Sequence, residues 1–235
     1  MISENRLSKS SYRKPKLRYR SQFPTRIDWD NKFPHFVRPD LEKRPTRRPQ
    51  ARKMQQEFLK DKQHYIESLK AFLAEYGIDL QPTEDALQKV GEFFLENADA
   101  DEESENIHAE WWMFLLLVML YLGEVAFLLD KSGTLKWDVV NIAPKGMTPN
   151  FSYVLDWGDP DMDWGIENQL LDYAYGVISS KSKNPNLFSL LVKEALFLAN
   201  RTDLPQKYDD MGLDACLELT FDDFRKLKAD VGDVA

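Results

Sequence analysis

The 235-residue sequence contains a single cysteine, Cys216, and three scattered histidines. One thiol cannot form an internal disulfide, which fits a reducing compartment, so we expect a cytoplasmic protein. The histidines, His35, His64 and His108, do not have the spacing of a structural zinc site, so we predict no metal. The N-terminus also lacks the apolar stretch of a secretory signal.

The motifs of common enzyme classes are missing as well. The sequence has no glycine-rich phosphate loop, no Gly-x-Ser-x-Gly elbow and no Cys/His pair at a favourable spacing. We therefore predict a non-enzymatic protein without a cofactor. The best candidate for a buried ionisable group is Glu124, which we interpret as a structural carboxylate. Glu110 shares its helical stripe but lies about 20 Å away by the helical rise, so the two cannot act as a catalytic pair.

Charge is divided unevenly along the chain. Residues 1–53 carry 16 Lys and Arg against 5 Asp and Glu, a net charge of +11. The remaining 182 residues carry 15 against 34, a net charge of −19. Such an asymmetry indicates that the two parts bind charged partners or each other.

The basic part is also rich in proline, because six of the twelve prolines lie within residues 1–49. Proline at this density excludes a long helix. We divide the chain into a basic arm, residues 1–48, and a single acidic α+β domain, residues 49–235. Residues 1–20 are expected to be mobile and residues 21–48 to be extended and docked. The docked part carries six large apolar side chains: Phe23, Ile27, Trp29, Phe33, Phe36 and Val37.

Three interpretations of the arm remain open. It packs on the acidic body, it binds a protein partner, or it binds nucleic acid through phosphate contacts and stacking. No recognised nucleic-acid-binding module is present, which makes the last interpretation the weakest.

Helical periodicity is clear in the first part of the body. Apolar residues at three- and four-residue spacing predict a helix of about seven turns from Pro49 to Gly77. Thr83 is expected to cap a second helix. The apolar face of that helix consists of Ala86, Leu87, Val90, Phe93 and Phe94.

A run without lysine or arginine follows, residues 97–110, which we expect to be a solvated loop. It precedes twelve consecutive apolar residues from Trp111 to Leu122. We predict that Trp111–Leu129 forms a central core helix rather than a membrane span, because Glu124 interrupts it and few basic residues flank it.

Alternating apolar residues predict an antiparallel hairpin formed by residues 135–140 and 151–157. A helix with an apolar face follows from about residue 164: Ile166, Leu170, Tyr173, Ala174, Val177 and Ile178. Another apolar helix is predicted within residues 184–200. For residues 201–235 we expect one short helix and fraying acidic ends.

The stretch DWGDPDMDWG, residues 156–165, does not fit a calcium loop. Trp164 replaces the turn glycine of an EF-hand, and Leu170 stands where its glutamate belongs. We predict that Asp161 or Asp163 caps the helix that begins near Trp164. The surplus acids predict a partner-binding surface, formed by Asp156, Trp157, Asp159, Asp161, Asp163 and Trp164.

The segment YLGEVAFLLDKSGTLKWDVV resembles a loose set of bacterial α+β domains of unknown function. The matching positions are Tyr121, Leu122, Gly123, Glu124, Val125, Gly133 and Trp137. The resemblance covers about residues 84–180 and departs at the turn, where that set has a Gly-Gly pair closer to the tryptophan. It implies a similarity to immunity partners of secreted bacterial toxins.

These observations predict a mostly helical α+β fold with a central apolar helix, a short antiparallel hairpin and an extended basic arm. The expected function is that of a non-enzymatic immunity-type inhibitor whose acidic surface binds a basic toxin. The alternative is a nucleic-acid-binding or assembly adaptor that acts through the arm. We expect no membrane partner.

Overall fold

Helices account for most of the chain in the computed structural model, which describes residues 16–19, 32–33, 45–103, 105–158 and 165–227. The helices are α1 (Arg48–Lys60), α2 (Lys62–Ala74), α3 (Glu84–Asn97), α4 (Ala109–Leu129), α5 (Ile166–Ile178), α6 (Leu187–Ala199), α7 (Gln206–Met211), α8 (Ala215–Glu218) and α9 (Phe221–Lys226). Strands β1 (Lys136–Asn141) and β2 (Phe151–Asp156) form an antiparallel hairpin. The predicted fold class is confirmed.

Helix α4 lies at the centre of the fold and contacts α2, α5, α6 and α9. It is long and apolar enough to cross a membrane, yet 72% of its most apolar 18-residue window is buried inside the protein. A helix that is apolar on all sides needs neighbours on all sides, and the surrounding helices supply them.

The first half of α4 packs into a cluster of aromatic rings. Phe114 lies 5.8 Å from Phe93, 6.2 Å from Phe94 and 6.2 Å from Phe72, measured between ring centroids. Trp111 meets Phe114 edge to face at 5.7 Å. These rings join α2, α3 and α4 into one core, as the periodicity of α3 predicts. Thr83 caps α3, and its hydroxyl accepts a hydrogen bond from the Ala86 amide at 3.3 Å.

The sequence predicted one helix of seven turns, but the structure has two helices, α1 and α2, which are separated at Asp61. The prediction of one continuous helix is wrong. Asp61 has φ −100° and ψ 10°, and its amide bonds the Leu59 carbonyl instead of continuing the helical ladder. The two halves pack on different surfaces, because α1 contacts β1 and β2 whereas α2 contacts α4. The break lets the chain change direction between these surfaces.

The hairpin forms in the predicted segments. Trp137 pairs with Leu155 and Val139 with Tyr153 in the strand register. The indole of Trp137 lies against α4 at Gly123, where an added Cβ would come within 2.2 Å of the indole Cζ2. Glycine at this position is therefore what allows the strand and the central helix to approach so closely.

Residues 201–227 form more helices than the one short helix predicted, and the predicted fraying end beyond residue 227 lies outside the described residues. This region contains α7, α8 and α9 with two 3-10 turns, Arg201–Asp203 and Gly212–Asp214, and it buries Cys216, Leu219 and Phe224. A Thr220–Asp223 capping box starts α9. Helices of four to six residues are too short to produce a visible hydrophobic period, which is why the sequence did not reveal them.

Part of the basic arm contacts the body of its own chain. The Arg18 amide bonds the Ile178 carbonyl at 2.8 Å, and the Ala100 amide bonds the Arg18 carbonyl at 2.7 Å. The Arg18 guanidinium also donates to the Leu95 carbonyl at 2.6 Å, which satisfies a group at the end of α3. The prediction that residues 1–20 are mobile is therefore wrong for residues 16–19.

Two residues of the segment predicted to dock are also described. Phe33 is buried, with its ring 5.4 Å from that of Phe72, and Lys32 forms an ion pair with Glu75. The other five apolar residues of this segment lie outside the described residues.

The acidic run before α4 is not a fully solvated loop, which corrects that prediction. Ala98, Asp99, Ala100 and Ile107 are buried. Tyr19 forms an isolated parallel bridge with Ala100, so this part of the loop contacts the N-terminal segment. Residues 101–103 and 105–106 remain partly or fully exposed.

Candidate functional site

A groove of about 640 Å³ opens beside the hairpin. It is bounded by α1, the acidic loop before α4, the first turns of α4, the loop end of the hairpin, and α5. Its lining residues are Pro45, Ala51, Met54, Asp101, Asn106, Ile107, His108, Ala109, Trp112, Leu116, Ile142, Asn150, Phe151, Ser152, Tyr153, Glu167, Asn168, Leu171 and Tyr175.

The wall between β2 and α5 is held by Glu167, in the first turn of α5. One of its carboxylate oxygens accepts a hydrogen bond from the Tyr153 amide at 2.8 Å and another from the Ser152 hydroxyl at 3.1 Å. The positive end of the α5 dipole favours a carboxylate at this place. Glu167 thus fixes the strand relative to the helix and places a negative charge in the groove lining.

The interior of the groove is largely apolar and aromatic. Leu116 belongs to the buried core, whereas Trp112 and Tyr153 are only partly buried. At the rim, Tyr175 is 40% exposed and its hydroxyl lies 3.0 Å from the Asn106 side-chain oxygen. Such aromatic surfaces bind both apolar groups and organic cations.

Acidic side chains contribute to the lining of the groove. They are Asp101 and Glu167, and the described lining residues include neither lysine nor arginine. Exposed Glu102, Glu103 and Glu105 continue the acidic rim along the loop. The groove therefore combines an apolar interior with an acidic rim.

A second polar cluster anchors the hairpin to α1. The buried carboxylate of Asp138 accepts hydrogen bonds from the Arg52 guanidinium at 2.8 and 2.6 Å and from Arg48 at 3.1 Å. The Gln55 side-chain amide donates to the Asp138 carbonyl at 2.6 Å. The hydrogen bonds from Arg52 are the largest cause of the lowered pKa of Asp138. This cluster positions the hairpin, whose loop end borders the groove.

Glu124 is not the fully buried carboxylate that the sequence predicts. Its side chain is 31% exposed and forms an ion pair with Lys62 at 2.6 Å. Position 124 faces the start of α2 at the edge of the core, where water still reaches both groups. The partner was invisible in the sequence because 62 residues separate the two side chains.

The predicted partner-binding stretch is only partly described. Asp156 is bound by Lys136 at 3.1 Å and by the Gly158 amide at 2.7 Å, and Trp157 packs against the core. Both residues thus have contacts within the fold. The other four members, Asp159, Asp161, Asp163 and Trp164, lie outside the described residues, so the binding surface stays a prediction.

The predicted side-chain cap of α5 is wrong. The helix begins at Ile166, and its N-cap residue is Gly165, which has no side chain to accept a capping hydrogen bond. Glu167 takes over the favourable interaction with the helix end, so an aspartate cap is not required.

Within the described residues, no three His, Cys, Asp or Glu side chains lie close enough to hold a metal ion. Burial raises the pKa of the Cys216 thiol to about 12, so it is protonated at neutral pH and unsuited to nucleophilic attack. Near the groove, His108 Nδ1 lies 3.9 Å from a Glu110 carboxylate oxygen.

The groove itself was not predicted from the sequence, because it assembles segments that are more than 100 residues apart. One part of the groove was visible in the sequence, namely the acidic run directly before the apolar helix, which supplies Asp101 and Asn106 to the lining. No family model matches the chain, and no curated protein or solved structure matches it.

Proposed function

We propose that this protein is a non-enzymatic binding protein that holds a basic protein partner at its acidic surface, in the manner of an immunity protein that neutralises a toxin. The observation that carries this proposal is the groove beside the hairpin, with its apolar interior and its acidic rim. Complementary charge accelerates association with a cationic surface, and apolar contacts slow dissociation.

Binding explains the groove better than catalysis does. Glu167 is engaged by the Tyr153 amide and the Ser152 hydroxyl, which is the arrangement of a positioning group. The thiol of Cys216 is buried and protonated. We therefore retain the proposal that the protein is not an enzyme.

The alternative, a nucleic-acid-binding or assembly adaptor that acts through the arm, receives less support. Of the cations in the basic N-terminal segment, Lys32 pairs with Glu75, and Arg48 and Arg52 both pair with Asp138. The Arg18 guanidinium is occupied by backbone carbonyls. Cations engaged by the body contribute less to phosphate binding, which depends on the release of counterions from the nucleic acid.

The experiment that tests the proposal begins with capture of partners from the native cells by the tagged full-length protein and their identification by mass. The identified partner is then expressed in a bacterial host alone and together with this protein. We expect growth arrest by the partner alone, rescue on co-expression, and a stoichiometric complex by calorimetry. A captured protein that is harmless, or whose toxicity persists on co-expression, contradicts the immunity function.

A gel-shift assay with generic DNA and RNA tests the alternative. We expect no shift at physiological salt. A salt-sensitive shift at micromolar protein that is lost when residues 1–47 are removed would instead favour the adaptor function.

A further inference from the structure

The groove has the size of a binding site for a short peptide segment. Ligand sites range over about 300–1,000 Å³, and this groove of about 640 Å³ lies within that range. Ile142, which lines the groove beside the hairpin loop, is 40% exposed. Met54 also lines the groove, and flexible methionine side chains adapt readily to the apolar residues of a partner.

The chemistry of the lining selects the charge of the occupant. Asp101 and Glu167 are carboxylates, and Trp112, Tyr153 and Tyr175 present aromatic surface between them. Cations are attracted both by carboxylates and by the faces of aromatic rings. Phosphate groups are repelled by the same carboxylates, which disfavours nucleic acid as the occupant.

The apolar interior favours a cation that also carries an apolar stem. Lysine and arginine bury their aliphatic stems along apolar surface and keep the charged head at a polar edge. Met54, Leu116 and Leu171 supply the apolar surface, and the acidic rim supplies the polar edge.

We propose that the groove binds an extended segment of the protein partner in which a lysine or arginine stands next to an apolar residue. The cationic side chain places its stem over Trp112 and its head at Glu167 and Asp101, while the apolar neighbour contacts Ile142. This inference rests on the proposed function, because it names the chemistry by which that function recognises its partner.

The test uses the full-length protein and a capped heptapeptide, Gly-Leu-Arg-Leu-Lys-Leu-Gly, as the probe in calorimetry. A second peptide replaces arginine and lysine by glutamine. We expect saturable binding of the basic peptide and affinity lower by about tenfold or more for the neutral one, a difference that reports the charge contribution. Absence of saturable binding at millimolar peptide, or equal affinity for both peptides, overturns the proposal.

Two variants locate the binding site. Glu167→Gln and Asp101→Asn remove charge but keep oxygen acceptors for the amides that each carboxylate now binds. The matched control is Asp85→Asn/Glu92→Gln, which removes the same two kinds of charge from exposed positions of α3 outside the groove. We expect the two groove variants together to weaken basic-peptide binding about tenfold and the control to change it less than twofold. Equal effects of groove and control variants would show attraction by overall charge and overturn the proposal.

A third variant covers the case in which Glu167→Gln disturbs the fold. Ala109 is exposed at the start of α4 and lines the groove, so Ala109→Arg places a cation there without altering the core. It should abolish binding of the basic peptide while leaving the melting curve unchanged, and unaltered binding contradicts the proposal.

The native partner separates this inference from the proposed function. If the partner binds wild type and the Asp101→Asn/Glu167→Gln variant equally, the groove inference fails and the immunity function stands. If the protein has no toxic partner but the peptide results hold, the immunity function fails and the groove inference stands.

Discussion

The two sides of the central helix α4 are joined to the rest of the protein by different kinds of interaction. Towards α2 and α3 the contacts are aromatic, with the rings of Phe72, Phe93 and Phe94 gathered around Phe114. On the other side the hairpin packs on α4 through Trp137, and directed polar bonds to the buried Asp138 carboxylate join this hairpin to α1. One side is held by area removed from water and the other in part by hydrogen-bond geometry.

The aromatic side therefore supplies most of the stability of the fold, whereas the polar side determines how the hairpin and α1 are placed relative to each other. Burial of apolar surface is non-directional and supplies most of the folding free energy. Charge-assisted hydrogen bonds contribute less net free energy, but they require defined distances and angles. The groove lies on the polar side, so its shape depends on bonds whose loss would cost the fold comparatively little.

The largest expected effect is on the aromatic side. Phe114→Ala should lower the free energy of unfolding by about 3–5 kcal/mol, because the ring is fully buried among four others and its removal leaves a cavity. Urea unfolding followed by circular dichroism measures the change. The control is Leu128→Ala on the same helix, which is 61% exposed and should shift the value by no more than about 0.5 kcal/mol. Equal effects would show that the ring cluster is not a packed core.

The polar side should respond less to the loss of its principal charge. Asp138→Asn keeps the shape of the side chain but loses the charge that Arg48 and Arg52 share, at a cost of about 1.5–3 kcal/mol. The arginines remain half exposed, so they are not left as buried charges. A destabilisation as large as that of Phe114→Ala would break the proposed division between the two sides.

The pH dependence of this variant has a defined sign. Hydrogen bonds from Arg52 lower the pKa of Asp138 in the folded state below its ordinary value of 3.8. The carboxylate therefore stabilises the fold fully above the unfolded pKa, and this contribution is lost as the pH falls towards the folded pKa. The difference between wild type and Asp138→Asn should be constant above about pH 5 and shrink below about pH 4. A difference that grows on acidification would contradict the assignment.

The contact between the hairpin and α4 gives a third test. Gly123→Ala should destabilise by about 1–3 kcal/mol, because the new Cβ would meet the Trp137 indole at 2.2 Å and force a shift. In a Trp137→Leu background the indole is gone, and alanine should then be neutral or stabilising by up to about 1 kcal/mol through its higher helix propensity. The same loss in both backgrounds would show that the indole is not the reason for glycine.

The sequence predicted the elements whose own periodicity is strong. The buried face of α5, from Ile166 to Ile178, is the predicted one, and the hairpin forms where alternation predicts it. In these segments local pattern and tertiary packing agree, so the local pattern was sufficient.

The remainder depends on contacts between distant segments. The break at Asp61 follows from the separate surfaces under α1 and α2, and Glu167, which was not singled out in the sequence, joins α5 to β2. The groove joins Met54 to Tyr175 across more than 100 residues. A single sequence does not show which distant segments meet, so its local patterns could not predict the helix break or the assembled groove.

The smallest expected effect concerns Glu124, which lies between the two sides. Glu124→Gln removes the ion pair with Lys62 and should cost no more than about 1 kcal/mol, because both side chains are about one-third exposed and water screens them. Lys62 also lies 5.9 Å from the centroid of the Phe127 ring, a contact that survives the substitution.

The salt dependence of stability distinguishes the partly exposed pair of Glu124 and Lys62 from the buried Asp138 cluster. At 1 M salt the screening length falls to about 3 Å, so the difference between wild type and Glu124→Gln should largely vanish, whereas the loss caused by Asp138→Asn should persist. Unfolding curves at low and high salt measure both differences under the same conditions. A loss above about 2 kcal/mol that resists salt would mean that Glu124 is shielded from water as the sequence predicts, because only a desolvated pair carries that much free energy.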